Sequence, residues 1–165
     1  MALSLAATSV GCSVPADTVM EHTFDPCAGL SLVTTSDRAD ELASIDAAIE
    51  LWNQAANLRL TREIQPNFPA LEIDFQVAAL ASRGLYDDER GVVIVNRALE
   101  DEHVRTITVA HELGHSFGLW HVSPDDRRSL MNPDNQSIGP TEEDVAQVRS
   151  LWASCNDENA SPSND

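Results

Sequence analysis

The sequence predicts one α/β (α+β) domain set between two polar ends, and three observations carry that expectation. From about Arg38 to Ala56 the apolar positions Leu42, Ile45, Ile49, Trp52 and Ala56 recur at helical spacing. From Leu71 to Val77 the apolar Leu71, Ile73, Phe75 and Val77 alternate with Glu72, Asp74 and Gln76, the period of a half-buried strand. From about Asp101 to Phe117 a second helical pattern runs, with Val104, Ile107 and Thr108 on its apolar face. At 165 residues the chain can bury its own core as a single domain.

The remaining elements fall between these. Leu30 to Thr34 is a short β-prone run, and Leu58 to Ile64 is a further strand candidate. Pro66 and Pro69 punctuate its link to the alternating strand. Gly91 opens the run Val92-Val93-Ile94-Val95, whose composition is that of a buried strand. Thr141 caps a last helix, with Asp144 at the capping-box position and Val145, Val148 and Trp152 facing inward. These elements place the domain at residues 30–155, after an N-terminal segment 13–29. The tail 156–165, made of Asn, Asp and Ser around one Pro, is expected to be disordered.

Ten Arg, no Lys and 27 acidic residues give a formal net charge of -17. A field of that sign repels phosphate backbones and anionic lipid, which argues against nucleic acid and electrostatic membrane docking. The acidity either keeps an exported protein soluble or is offset in part by calcium. Asp87, Asp88 and Glu89 are the candidate ligands for such an ion, although their run matches no EF-hand loop.

Residues 1–12 are small and apolar, and Ser9-Val10-Gly11-Cys12 resembles a lipobox, which makes Cys12 a candidate for lipidation. No Lys or Arg precedes Arg38, so the positive region of an export signal is missing, and an incidental cysteine is the alternative. No apolar stretch approaches membrane-spanning length. With Cys12 lipidated or removed, Cys27 and Cys155 remain as a pair flanking the domain. A disulfide between them suits an exported protein, secreted, periplasmic or anchored at the cell surface; two free buried thiols are the alternative.

The chemistry sits in His111-Glu112-Leu113-Gly114-His115-Ser116-Phe117-Gly118-Leu119-Trp120-His121. A spacing of four stacks His111 and His115 on one helix face, so two imidazoles can reach one ion. Glu112 is turned about 100° from His111 around the axis. That rotation makes it a poor third ligand and a good neighbour for a water at the ion. Gly118 accepts the left-handed conformation that a sharp helix exit needs, and His121 can then return to close the site. Three His ligands with a fourth position free is the arrangement of a catalytic zinc.

The extended H-E-x-x-H-x-x-G-x-x-H pattern resembles the metzincin zinc peptidases, and the run His111 to Leu119 is most similar to their matrixin branch. Ser129-Leu130-Met131-Asn132-Pro133 is similar to the metzincin Met-turn, which makes Met131 the residue beneath the metal. The resemblance spans roughly Leu30 to Ser154 and is sharp from Val109 to Pro133. It implies a zincin domain, a mixed twisted sheet with an active-site helix and a C-terminal helix. It also implies one catalytic zinc, a polypeptide substrate and a chain expected to act as a monomer. A third role for Cys27 follows from it, as the zinc-bound cysteine of a latent matrixin, although Asp25-Pro26-Cys27-Ala28-Gly29 matches that motif poorly.

The sequence departs from the matrixins at Val122, usually Ser, and at Asn132, where tyrosine is common. No tyrosine follows Pro133, so the wall of the specificity pocket must be built differently. The histidines that form a second, structural zinc site in matrix metallopeptidases are absent; only His22 and His103 remain outside the motif.

What the resemblance implies is peptide hydrolysis, with Glu112 as general base. Gly91 to Val95, or the irregular stretch Ala78 to Tyr86, is expected to form the cleft's upper rim and to pair with extended substrate. The alternatives are an inactive zinc-binding module of the same fold and a hydrolase acting on other bonds. Retention of Glu112 argues against the first.

Overall fold

The computed structural model describes residues 19–77 and 82–156. Residues 1–18, 78–81 and 157–165 lie outside the described residues, and with them Cys12, the export signal, part of the predicted upper rim and nearly all of the tail.

The chain forms a mixed α/β unit with a five-stranded, mostly parallel sheet and three α-helices. The elements run β1 (Leu30–Val33), α1 (Ala39–Ala56), β2 (Leu60–Thr61), β3 (Ala70–Gln76), β4 (Gly84–Asp87), β5 (Val92–Asn96), α2 (Glu102–Ser116) and α3 (Glu142–Leu151), followed by a 3₁₀ turn Ala153–Asn156. Strand order is β2-β1-β3-β5-β4, with only β4 antiparallel to its neighbour. Among the described residues no helix is long and apolar enough to cross a membrane.

β3 lies at the centre because its alternation lets one face bury: Leu71, Ile73 and Phe75 are buried while Glu72 and Gln76 stay exposed. The strand stops at Gln76, so Val77, expected on the buried face, is 83% exposed. The run Leu58 to Ile64 pairs only at Leu60 and Thr61, after which the chain bends away and leaves Ile64 exposed. α1 buries Ile45, Trp52 and Ala56 as its periodicity predicts. Its buried positions also include Glu41, which accepts the Arg97 guanidinium at 2.9 Å. The indole Nε1–H of Trp52 donates to Ala110 O at 2.9 Å, joining α1 to the middle of α2.

β4 was expected to be irregular chain, and it is instead the antiparallel edge of the sheet, paired with β5 from Gly84↔Val95 to Asp87↔Val92. The acidic run Asp87-Asp88-Glu89 is the end and turn of this hairpin. Asp87 Oδ1 accepts the Arg90 N–H and Asp88 Oδ2 accepts the Glu21 N–H, each at 3.1 Å. Among the described residues these three carboxylates do not converge into one metal-holding group.

Cys27 and Cys155 form a disulfide with a Cα–Cα distance of 5.0 Å. Cys27 is thus neither a free thiol nor able to occupy the histidines while the bridge stands. The segment before β1 packs on the domain: Phe24 N–H donates to Ser116 O at 2.8 Å, and Tyr86 Oη to His22 O at 2.8 Å. The folded unit therefore begins ahead of Leu30.

The bridge closes a separation of 128 residues. Replacing both cysteines by serine should lower stability by about 2–5 kcal/mol in chemical denaturation. An unreduced digest should contain the linked peptide pair, and no change in stability in the double variant would refute a structural role for the bridge.

Candidate metal centre

Helix α2 delivers the first two histidines. Asp101 caps it by accepting the Val104 N–H, and Ile107, Val109, Ala110 and Leu113 bury the helix against the sheet and α1. His111 and His115 then share a face, their ring centroids 4.9 Å apart. Beyond Ser116 the backbone turns through Gly118 at φ 95°. Gly118 N–H donates to His115 O at 2.9 Å and Leu119 N–H to Gly114 O at 3.0 Å, the paired bonds of a Schellman motif. A side chain at Gly118 would strain this conformation. Leu119 buries itself, Trp120 points outward, and His121 comes back to the two imidazoles.

The three Nε2 atoms meet. His121 Nε2 lies 3.2 Å from that of His111 and 3.1 Å from that of His115. His111 Nδ1 lies 2.8 Å from Leu130 O and His115 Nδ1 2.7 Å from Leu119 O. A carbonyl can only accept, so both Nδ1 atoms carry the proton, and in the neutral imidazole each Nε2 is a bare lone pair. Burial favours that neutral form. It depresses His115 to about 4, with the neighbouring His111 adding to the effect, and it also lowers His111 and His121. His121 can offer one proton between two lone pairs, so at least one such pair faces another nitrogen without a donor.

That donor set fits zinc. Three nitrogens about 2.0–2.1 Å from one tetrahedral ion sit roughly 3.3 Å apart, close to the observed spacing. His111, His115 and His121 are the residues that could hold it, and the backbone bonds at Nδ1 are the orienting contacts such ligands need. The other converging group, Asp25 with Cys27 and Cys155, has both sulfurs committed to the disulfide.

Met131 is fully buried. A Cβ on Gly114 would come within 2.5 Å of Met131 Sδ, so the thioether rests directly on the helix beside His115. Val122 N–H donates to Met131 O at 3.0 Å, tying the turn to the residue after His121. Asn132, at the position where matrixins commonly carry tyrosine, is a brace. Its Nδ2 donates to Val122 O and Arg127 O, and its Oδ1 accepts from Ser129 N.

Asp144 was expected only to cap α3. It does so, and it also holds the turn from below. The carboxylate is fully buried and accepts from Ser129 Oγ at 2.5 Å, Leu130 N at 2.9 Å, Arg127 Nη1 at 2.9 Å and Thr141 N at 3.0 Å. Burial alone would raise this carboxyl; bonds from Ser129, Thr141, Leu130 and Arg127 outweigh it and leave the pKa lowered. Asp144 thereby fixes Leu130, whose carbonyl orients His111.

Glu112 is 7% exposed and points between α2 and β4. Burial raises its carboxyl to about 7, against a lowering hydrogen bond from the Tyr86 backbone. Two clefts of about 290 and 250 Å³ meet at it, both lined by Gly84, Glu112 and His121. Of the two rims expected from sequence, Gly84 in β4 lines both clefts and Leu85 and Tyr86 the smaller, whereas Gly91 to Val95 line neither. The wall beyond Met131 is built from Pro133, Asp134 and Asn135, with Arg83 facing them. Arg83 carried no sequence signal.

Compared with known protein families and with curated protein sequences, the chain matches none. The functional reading therefore rests on the residues themselves.

The three histidines should take up about one zinc ion per chain, removable by chelators. His121→Ala should weaken zinc binding by more than the roughly 10–100-fold typical of an outer-shell change, read by competition with a chromogenic chelator; unchanged affinity would rule out the three-nitrogen site. Asp144→Asn tests the support beneath it. Loss of charge-assisted hydrogen bonds should cost about 1.5–3 kcal/mol of stability at neutral pH. Because the native pKa is lowered, the unfolded chain binds more protons, and the stabilisation is lost as pH falls through the native value. The parent should therefore show a steeper acid-side loss of stability than Asp144→Asn.

Proposed function

We propose that this chain is a zinc-dependent endopeptidase of the metzincin type, most similar to the matrixin branch, with His111, His115 and His121 as ligands and Glu112 as general base. One observation carries the reading: bare Nε2 lone pairs converge beside a buried carboxyl at the junction of two clefts. The buried Met131 under the helix and the Gly118 exit support the same assignment.

Zinc, when bound there, lowers the pKa of water towards neutrality and polarises the scissile carbonyl as a Lewis acid. Glu112 accepts one proton from the attacking water as its oxygen bonds to the carbonyl carbon. It then delivers that proton to the leaving nitrogen as the C–N bond breaks. Among the described residues β4 is an edge strand of the sheet, where an extended polypeptide can pair through its backbone, a mode of holding that needs no particular side chain. The Cys27–Cys155 bridge supports a protein exported to an oxidising compartment.

Glu112→Gln separates the peptidase from a zinc-binding module of the same fold. The amide is nearly isosteric but takes no proton, so zinc content should hold while cleavage of a mixed peptide library falls by about 10²–10⁴. Equal cleavage by both forms at matched zinc occupancy would remove Glu112 from the mechanism. A parent that binds zinc and cleaves no peptide would favour the binding module.

A further inference from the structure

The two clefts that meet at Glu112 differ in chemistry. The smaller, of about 250 Å³, is walled by Met20, Leu85, Tyr86 and Trp120. Leu85 is 55% exposed and Trp120 44%, so two large apolar side chains stand in water beside the proposed reacting centre. Apolar walls left open in a cleft of this kind are completed by an apolar group of the ligand.

The larger cleft, of about 290 Å³, carries Arg83 opposite Pro133, Asp134 and Asn135. The chain has no Lys, and among the described residues Arg83 is the one Arg lining either cleft. Its guanidinium donates to Asp134 Oδ1 at 2.8 Å. The partners are unequal: the Asp134 side chain is 91% exposed and that of Arg83 24%. Asp134 also holds a left-handed backbone, φ 61°, uncommon for a residue with a side chain. A carboxylate reaching in from solvent thus meets a cation that belongs to the cleft. An exposed pair of this kind contributes little, whereas a ligand carboxylate seated in the cleft can take two parallel N–H bonds from the same guanidinium. The net charge of -17 repels an acidic ligand at a distance. Salt screens that field beyond about 8 Å, and at contact the guanidinium decides.

Resting on the reading that the ligand is a polypeptide, we infer that the groove selects its segment by two side chains, one in each of the clefts that share Glu112, an apolar one beside Leu85 and Trp120 and an acidic one at Arg83. Asp134 stands in for the acidic side chain while the groove is free.

A randomised peptide library tests this in two arms. Peptides retained by the Glu112→Gln protein are sequenced by mass spectrometry, and cleavage sites made by the parent are mapped on the same library. Retained peptides should carry Asp or Glu a few residues from Leu, Phe or Met, and the parent's cleavage sites should fall between the two. Arg83→Glu should invert the charged preference to Lys or Arg, and Trp120→Ser should weaken the apolar preference alone. Asp134→Asn, at an exposed position, frees the guanidinium and should raise the acidic enrichment. No retained peptide, no charge preference, an acidic preference that survives Arg83→Glu, or a fall in it with Asp134→Asn would each overturn the inference. If patterned peptides are retained but the parent cuts none, hydrolysis fails and the selection stands. If the parent cuts without the pattern, the selection fails and hydrolysis stands.

Discussion

Because a carbonyl oxygen only accepts hydrogen bonds, Leu130 O and Leu119 O dictate which nitrogen of His111 and His115 carries the proton. The two Nε2 lone pairs are thereby turned toward His121 in a half-buried setting where a positive imidazole is disfavoured. His121 can offer a proton to one of them, and the other then faces a nitrogen without a donor, a repulsion that a cation among the three would relieve. The fold's task is to hold that arrangement, and most of what surrounds α2 can be traced to it.

Both carbonyls belong to the loop between α2 and α3, and each is fixed from a different side. Leu119 is set by the turn at Gly118, whose backbone bonds return to α2. Leu130 is set by Asp144, a carboxylate that satisfies the first turn of α3 and the turn above it with the same two oxygens. The helix end is secured too. Its last carbonyls have no partner within the helix, and Phe24 N–H takes Ser116 O while the Trp152 indole takes Phe117 O. Those two donors come from the segments that the Cys27–Cys155 disulfide joins, so the bridge closes a clamp around the C-terminal end of α2.

The legible parts of this design are local. The histidine motif lies within eleven residues and reports helix spacing, helix exit and return in one stretch. α1, β3 and the α3 capping box are read from periodicity or from a four-residue signature, and Ile45, Trp52 and Ala56, then Leu71, Ile73 and Phe75, then Val145 and Val148 are buried where the pattern puts them. What sequence alone did not show depends on partners far along the chain. β4 has four residues and no alternation, and only its pairing with β5 makes it a strand. Val77 looked like the fourth member of an apolar face, but the sheet no longer covers the chain there. Asp144 announced one role, and its second needs Ser129 and Leu130 brought over it. Arg83 gains meaning only opposite residues some fifty positions away, with Asp134 at a separation of 51.

That division runs through the candidate site itself. One helix supplies the ligand pair and the proposed base, and the 100° step between neighbouring residues turns Glu112 off the histidine face toward β4. There the Tyr86 backbone donates to the carboxyl and the strand shields it from bulk water. The three proposed ligands are thus encoded within eleven residues, while the carbonyl that orients His111, the environment of the proposed base and much of the cleft walls come from other segments. Changes in β4, in Arg83 or in the Pro133–Asn135 wall can alter what the groove accepts without touching a ligand. Under the proposed function, a sequence with an intact histidine motif can therefore keep its metal ligands while its selectivity is set by segments that the motif does not include.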